Sequence, residues 1–379
     1  APGPRSIPAP HPSHAPHPLP PYYTLGRPGL RVHPLCLGTM TFGTEWGWGA
    51  DQSAARALFD RYVEAGGNFF DTADLYTQGT SERWLGQFVR ERRLRDKAVI
   101  ATKFTYNGSP DDPNAGGNGR KHIRAAVEGS LERLGTDYID LYLLHTWDCL
   151  TPAEEVLSTL DDLVRAGKVR YIGLSDVPAW YASRMQTLAE QLGRERLCCL
   201  QLEYSLVERS IEDEFVPLGL QHGLGIVAWS PLGMGLLSGK YRGQRPTGGR
   251  LEALEGNTNP VFQKWTPKNL EIVAELERVA LELGRPMAQV ALAWVLGRPG
   301  VGSVILGATK LAQLDDNLAA LDCHLTPAQR ARLDQISAPP PRFPYTFFTN
   351  QHQTAIHGSG QVADKPPHYA PPRRFTPPT

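Results

Sequence analysis

No stretch of the 379-residue sequence approaches the roughly 20 consecutive apolar residues that a bilayer-crossing helix needs, so no membrane partner is expected. An excess of one charge is missing too. The 39 Lys and Arg stand against 39 Asp and Glu, and a net charge of zero gives none of the electrostatic footprint that nucleic-acid binders use. Cysteine is scarce: Cys36, Cys149, Cys198, Cys199 and Cys323 are the five, and none sits at a metal-knuckle spacing. Free thiols in a reducing, cytoplasmic compartment are expected. Cys198 and Cys199, adjacent in an apolar run, are expected to point to opposite faces of a strand. Residues 1–21 lack an apolar core and carry one charge, Arg5, so they do not read as a secretory leader.

Proline is plentiful, and it is uneven. Nine of the 33 prolines lie in residues 1–21 and ten in 339–378, which leaves 14 for the 316 residues 22–337. Three regions follow: a proline-rich, disordered arm at 1–21, a globular body at 22–337 and a C-terminal extension at 338–379. The extension contains Pro344-Tyr-Thr-Phe-Phe, whose three aromatics are costly to leave in water. Its first part is therefore expected to dock on the body, beside the mouth of the fold or a neighbouring subunit.

Along the body, apolar β-rich runs at 33–38, 68–71, 98–103, 138–145, 169–174, 197–202, 225–229 and 302–307 alternate with amphipathic segments. Helices are expected at 54–65, 81–91, 123–134, 152–166, 180–192, 211–218, 270–283, 287–296 and 312–321. Thr151 reads as an N-cap with Pro152 as first helical residue, and Gly66–Gly67, Gly135 and Gly167 read as helix stops. Nearly continuous apolar strands such as Tyr138-Ile-Asp-Leu-Tyr-Leu-Leu suit a parallel sheet covered by helices. Eight such pairs suggest a closed barrel. An open doubly wound sheet is the rival, but its usual GxGxxG turn is absent.

In a barrel the chemistry collects at the C-terminal strand ends, which selects Asp71, Lys103, His145, Ser175, Gln201 and Trp229. Charge at the end of an apolar strand is expensive unless paired. Asp71 and Lys103 are expected to pair, and Tyr76 follows Asp71 on the next loop. A phenol titrates near pH 10, and a neighbouring ammonium lowers that value, so Lys103 would equip Tyr76 to exchange a proton. His145 is placed to hydrogen-bond the reacting oxygen. These four suit proton donation to an oxygen that is gaining negative charge. The competing reading makes each a satisfied buried polar residue. A metal site finds no second ligand near His145, and an acyl-transfer site finds no GxSxG. A carboxylate pair of Asp71 and Asp148 leaves Lys103 idle.

Several separated motifs resemble the aldo-keto reductase family over roughly residues 25–337. They are Leu37-Gly-Thr-Met-Thr-Phe-Gly, Asn68-Phe-Phe-Asp-Thr-Ala-Asp-Leu-Tyr, Ala101-Thr-Lys-Phe, Leu144-His, Ile172-Gly-Leu-Ser, Gln201-Leu-Glu-Tyr-Ser, Trp229-Ser-Pro-Leu-Gly-Met-Gly-Leu-Leu-Ser-Gly-Lys-Tyr and Ile305-Leu-Gly-Ala-Thr, in that order. The chain looks most like the subgroup of bacterial aldo/keto reductases and potassium-channel β-like members. The resemblance implies a (β/α)8 TIM barrel with an N-terminal hairpin, NAD(P)H-dependent reversible reduction of an aldehyde or ketone, and a tetrad of Asp71, Tyr76, Lys103 and His145. It implies that Ser175, Asp176 and Gln201 hold the nicotinamide carboxamide and that Trp229 stacks on the ring. Many relatives have Asn where this chain has Asp176.

Further dinucleotide contacts implied by the resemblance are Gly38, Thr39, Met40, Ser230, Pro231, Leu232, Gly233, Gly235, Ser238, Lys240, Arg250, Leu306, Gly307, Thr309, Lys310, Gln313, Asp316 and Asn317. NADPH is expected over NADH. Some relatives carry an arginine at the Gln313 position for the 2′-phosphate, and here Lys240 and Lys310 are the available cations. Gly248, Gly249 and Gly256 suggest a loop able to close over the dinucleotide. The substrate pocket is expected to take Trp46, Trp48, Tyr76, Tyr106, His145 and Trp147, with Asp148 nearby, which suits an apolar or aromatic carbonyl. Arg120 and Lys121 are the exceptions that would favour an anionic substrate. The alternative reading is an NADPH-binding regulatory or interaction subunit with little turnover. Homo-oligomers occur among such proteins, and the sequence does not decide the assembly.

Overall fold

In the computed structural model, residues 21–241, 251 and 257–358 are described. The chain enters through a short antiparallel hairpin, β1 (Tyr23–Thr24) and β2 (Arg31–Val32). Eight parallel strands then close on themselves. They are β3 (Leu35–Gly38), β4 (Phe69–Asp71), β5 (Val99–Phe104), β6 (Ile139–Leu144), β7 (Val169–Ser175), β8 (Leu197–Glu203), β9 (Gly225–Trp229) and β10 (Val301–Leu306). The seam pairs β3 with β10, Leu35 opposite Val304 and Leu37 opposite Leu306. The rival open sheet is thereby excluded.

Between the strands run α1 (Gln52–Glu64), α2 (Thr80–Glu91), α3 (Arg120–Leu134), α4 (Ala153–Arg165), α5 (Ala179–Leu192) and α6 (Phe215–His222). After β9 come α7 (Pro267–Leu283), α8 (Met287–Leu296), α9 (Leu311–Leu318), α10 (Pro327–Ile336) and α11 (Asn350–His357). Their apolar faces and the outward faces of the strands bury one large shell of core. Among the described residues, no single helix is long and apolar enough to cross a membrane.

Several boundaries follow local chemistry. Asp51 accepts from the Ala54 amide (2.8 Å) to start α1, and Gly135 ends α3 in the left-handed region at φ 61°. Three expectations are corrected. The N-cap of α4 is Pro152 rather than Thr151, because the Thr151 amide (2.8 Å) and hydroxyl (2.6 Å) are both committed to Asp148. The helix expected at 211–218 is a short 3-10 turn, Ser210–Glu212, followed by α6, whose first turn tolerates Pro217 because its missing N–H has no partner there anyway. Cys198 and Cys199 do not face opposite ways. A β-bulge sets Ile172 against Leu197 but Gly173 against Cys199, and both cysteines join the cluster that fills the barrel lumen.

That lumen cluster is apolar at its closed end. Cys36, Phe69, Val99, Ala101, Leu141, Leu143 and Val227 fill it, and Leu25 from the hairpin plugs it from below. Residues two apart along a strand share a face. Continuing upward from Phe69, Ala101, Leu143, Cys199 and Val227 therefore reaches Asp71, Lys103, His145, Gln201 and Trp229.

Candidate active site

Lys103, fully buried, organises the mouth. Its ammonium donates to Asp71 Oδ1 (2.6 Å), to the Thr72 carbonyl (2.8 Å) and to Tyr76 Oη (3.2 Å), so its three hydrogens are spent. Burial alone would lower the lysine's proton affinity, but Asp71 and Tyr76 outweigh it and push its pKa above the ordinary value. The lysine is thereby favoured as the cation. The other carboxylate oxygen, Asp71 Oδ2, accepts from Gln201 Nε2 (2.7 Å), a contact that sequence reasoning did not anticipate.

Tyr76 is held by the loop after β4. Thr77 and Gln78 follow it with φ of 46° and 54°, conformations that cost roughly 1 kcal/mol each for residues with side chains. The Thr77 hydroxyl anchors that turn to the Phe42 carbonyl (2.7 Å). His145 packs edge-on to Tyr76, with ring centroids 5.7 Å apart. Burial and then the Lys103 charge hold its pKa well below the ordinary value, so the imidazole is neutral. Its Nδ1 is buried without a hydrogen-bond partner among the described residues.

An aromatic row extends from this centre. Trp48 and Trp46 lie 5.6 Å apart, Trp46 meets the Tyr76 ring edge-on at 6.3 Å, and Tyr106 meets His145 at 5.1 Å. Trp147 points instead into a second group, 5.5 Å from Trp180 and 5.9 Å from Tyr181. Trp180 is half exposed and was missed in the sequence because it lies inside a helical pattern. Beside it, Tyr345 and Phe348 of the extension line a cavity of about 360 Å³ with Trp180, Asp213, Glu214 and Pro217. Asp148 is committed to its own loop. Although burial opposes it, its pKa is held low by the bonds it accepts from the Thr151 hydroxyl (2.6 Å) and from the Thr151 (2.8 Å), Leu150 (3.0 Å) and Asn118 (2.8 Å) amides. Arg120 and Lys121 are exposed in the first turn of α3.

The residues assigned to the dinucleotide divide into open and committed groups. Ser175 Oγ is buried with no hydrogen bond of good geometry among the described residues. Asp176, at φ 43°, accepts from Trp229 Nε1 (3.1 Å). Its surface opens into the mouth although protein surrounds it, and burial raises its pKa to about 6 against the opposing Trp229 bond. Thr39 is committed: its hydroxyl donates to the Asp71 carbonyl (3.0 Å) and lies 2.7 Å from Ser81 Oγ. Gly38 is required by packing, since a Cβ there would stand 2.6 Å from Ile305 Cγ2 across the seam. Met40 is half-buried.

After β9, the Ser230 hydroxyl accepts from the Met234 amide (3.2 Å), and Ser238 donates to the Gly235 carbonyl (2.7 Å). Pro231 and Gly233 are buried, and Leu232 and Gly235 are half-buried. Lys240 is exposed, its ammonium 4.6 Å from the Tyr241 ring. At the end of β10, Leu306 is buried, whereas Gly307 leaves open space where a Cβ would be. Gln313 Oε1 accepts from the Thr309 (3.0 Å) and Lys310 (3.2 Å) amides and so caps α9. Lys310 and Asp316 are exposed and Asn317 is buried. Arg250, Gly248, Gly249 and Gly256 lie outside the described residues.

One further ionic contact went unforeseen. Lys264, after the loop that follows β9, stands 2.7 Å from Glu203 Oε1 at the end of β8, close enough for an ion pair though off the hydrogen-bond direction. Burial raises the Glu203 pKa to about 7 despite Lys264. Among the described residues, no His, Cys, Asp or Glu group is arranged to hold a metal ion.

The aldo/keto reductase family model matches residues 34–338. A norsolorinic acid reductase of Emericella nidulans is 36% identical over 333 residues, covering 86% of this chain and 83% of that protein. A probable voltage-gated potassium channel subunit beta of Oryza sativa is 39% identical over 79% of this chain and 91% of its own. An aryl-alcohol dehydrogenase [NADP(+)] of Phanerodontia chrysosporium is 33% identical over 89% of this chain and 91% of its own.

Proposed function

The chain belongs to the aldo/keto reductase family, and we propose that it reversibly reduces an aromatic or bulky apolar aldehyde or ketone to the alcohol with NADPH. The observation that carries this reading is the buried Lys103 ammonium, which touches Asp71, Thr72 and Tyr76 at once. A dinucleotide suits the residues present. Ser175 Oγ is buried without a hydrogen bond of good geometry among the described residues, Gly307 leaves open space where a Cβ would be, and Lys240 and Lys310 are exposed cations for a 2′-phosphate.

When bound, the reduced dinucleotide supplies the hydride. Ser175 and Gln201 Oε1 would hold its carboxamide, Trp229 would lie against the ring, and the loops bearing Gly233, Gly235 and Thr309 would hold the phosphates and adenosine. Tyr76 Oη gives its proton to the substrate oxygen in reduction and takes it back in oxidation. Lys103 stabilises the phenolate left behind, and Asp71, braced by Gln201, keeps the ammonium in place. His145, being neutral, orients the substrate oxygen by a hydrogen bond without adding charge.

Trp46, Trp48 and Tyr106 flank this centre and favour a flat, uncharged substrate. One of the relatives, an aryl-alcohol dehydrogenase, is named for acting on aryl compounds, and another, a norsolorinic acid reductase, is named for a reduction. The likeness to a channel β subunit supports the second reading, a dinucleotide-binding interaction subunit. Following NADPH oxidation with a panel of aromatic and aliphatic aldehydes and ketones decides between them. We expect turnover with kcat/KM highest for the aromatic members. Tight dinucleotide binding without turnover across the panel would establish the second reading instead.

A further inference from the structure

At the mouth, the Asp176 carboxylate makes no salt bridge among the described residues, although the Lys103 charge acts on it. Asp176 is fixed on three sides: its carbonyl accepts from the Trp147 amide (3.4 Å) and the Thr146 hydroxyl (3.3 Å), and its Oδ1 from Trp229 Nε1 (3.1 Å). The backbone accepts a φ of 43° to keep it there, a conformation a non-glycine residue adopts at a cost. The groups that face it from neighbouring elements are Lys103 on β5, Tyr106 after β5, Ser175 on β7, Glu203 on β8 and Trp229 on β9. Lys103 has spent all three hydrogens elsewhere, and Glu203 is itself acidic and paired with Lys264. Among the described residues, no Lys, Arg or His makes a salt bridge to Asp176.

Ser175 and Trp229, which flank Asp176, are the groups assigned above to the nicotinamide, and this inference rests on that assignment. Removing a hydride, a proton with two electrons, from the neutral dihydropyridine leaves a pyridinium with one positive charge. The two forms of the cofactor therefore differ by a unit charge at the place where Asp176 stands. We propose that the Asp176 carboxylate discriminates between the two forms, binding the oxidised dinucleotide more tightly and lowering the reduction potential of the bound couple. A unit charge a few ångströms away in a partly wetted site is worth about tenfold in relative affinity. For a two-electron couple that corresponds to about 30 mV.

Asp176→Asn is the informative variant. It is isosteric and keeps an oxygen for Trp229 Nε1, and the NH2 that replaces the other oxygen meets the same carboxamide in both dinucleotides, so its effect cancels in their ratio. Dissociation constants for NADP+ and NADPH are measured on the full chain by quenching of intrinsic tryptophan fluorescence at pH 8, with circular dichroism to check folding. The expected result is that the ratio of the NADP+ constant to the NADPH constant rises about tenfold in D176N. The wild-type protein offers a second measurement that needs no variant. As pH falls from 8 through about 6, its preference for NADP+ declines toward that of D176N. The 2′-phosphate belongs to both forms and cancels in the ratio, and D176N at each pH subtracts any contribution from Glu203. An unchanged ratio overturns the proposal. So does a parallel weakening of both dinucleotides, which would make Asp176 merely a support for Trp229. Failure of the wild type to bind either form overturns the inference together with the site assignment beneath it.

Discussion

The two ends of one barrel differ more than two separate domains often do. At the closed end, Val99, Leu141, Phe69 and Val227 fill the lumen with hydrocarbon above the Leu25 plug. At most four residues further along the same strands, and on the same face, stand Lys103, His145, Asp71 and Trp229. The lower layer needs only shape and apolar area. The upper layer keeps a buried cation, a neutral imidazole, a buried serine hydroxyl and several strained backbone positions. Rigidity made at one end is what holds costly polar groups in place at the other.

Substitutions can test that division. Tyr76→Phe should lower turnover by roughly 10²–10⁴-fold while leaving dinucleotide affinity and thermal stability nearly unchanged, measured by NADPH oxidation, fluorescence titration and a melting curve. Retention of full turnover would remove Tyr76 from proton transfer. Leu143→Ala, in the lower layer, should do the opposite. It should cost about 2–5 kcal/mol in denaturant unfolding, with kcat preserved wherever the protein remains folded. A selective loss of kcat without instability would show that the two layers are not separable.

The smallest effect is expected at the rim. We propose that the extension docks there, since Tyr345 and Phe348 share a cavity with Trp180, and Trp180 touches Trp147. Ending the chain at Pro341 should cost about 1–2 kcal/mol of stability and raise KM more than it lowers kcat. Unchanged stability and kinetics would make the extension irrelevant to the mouth.

Much of the architecture was legible because strands buried on both faces leave long apolar runs, and because Lys103, Asp71 and His145 interrupt those runs at their ends. Gly135 was read correctly as the end of α3 because few other residues tolerate its left-handed conformation. What escaped depended on partners distant in sequence. Thr151 is a good N-cap by type, but Asp148 claims it. Gln201 braces Asp71 from 130 positions away, and Lys264 meets Glu203 across a loop. The facing of Cys198 and Cys199 turned on one bulge, which strand alternation cannot anticipate. Trp180 lay hidden within an unremarkable helix.

The seam between β3 and β10 has a kinetic consequence. Thr41 donates to the Ala308 carbonyl across 267 positions of sequence (2.9 Å), and Ser303 donates to the His33 carbonyl across 270 (2.9 Å). Contacts of such separation form only after the intervening chain has organised, because loop closure must precede the gain from pairing. Closing the barrel at this seam therefore carries a larger loop-closure cost than pairing strands that are neighbours in sequence. On the dinucleotide site proposed above, a ligand that spans the loops after those two strands, which bear Met40 and Thr309, would hold this seam shut and slow global unfolding.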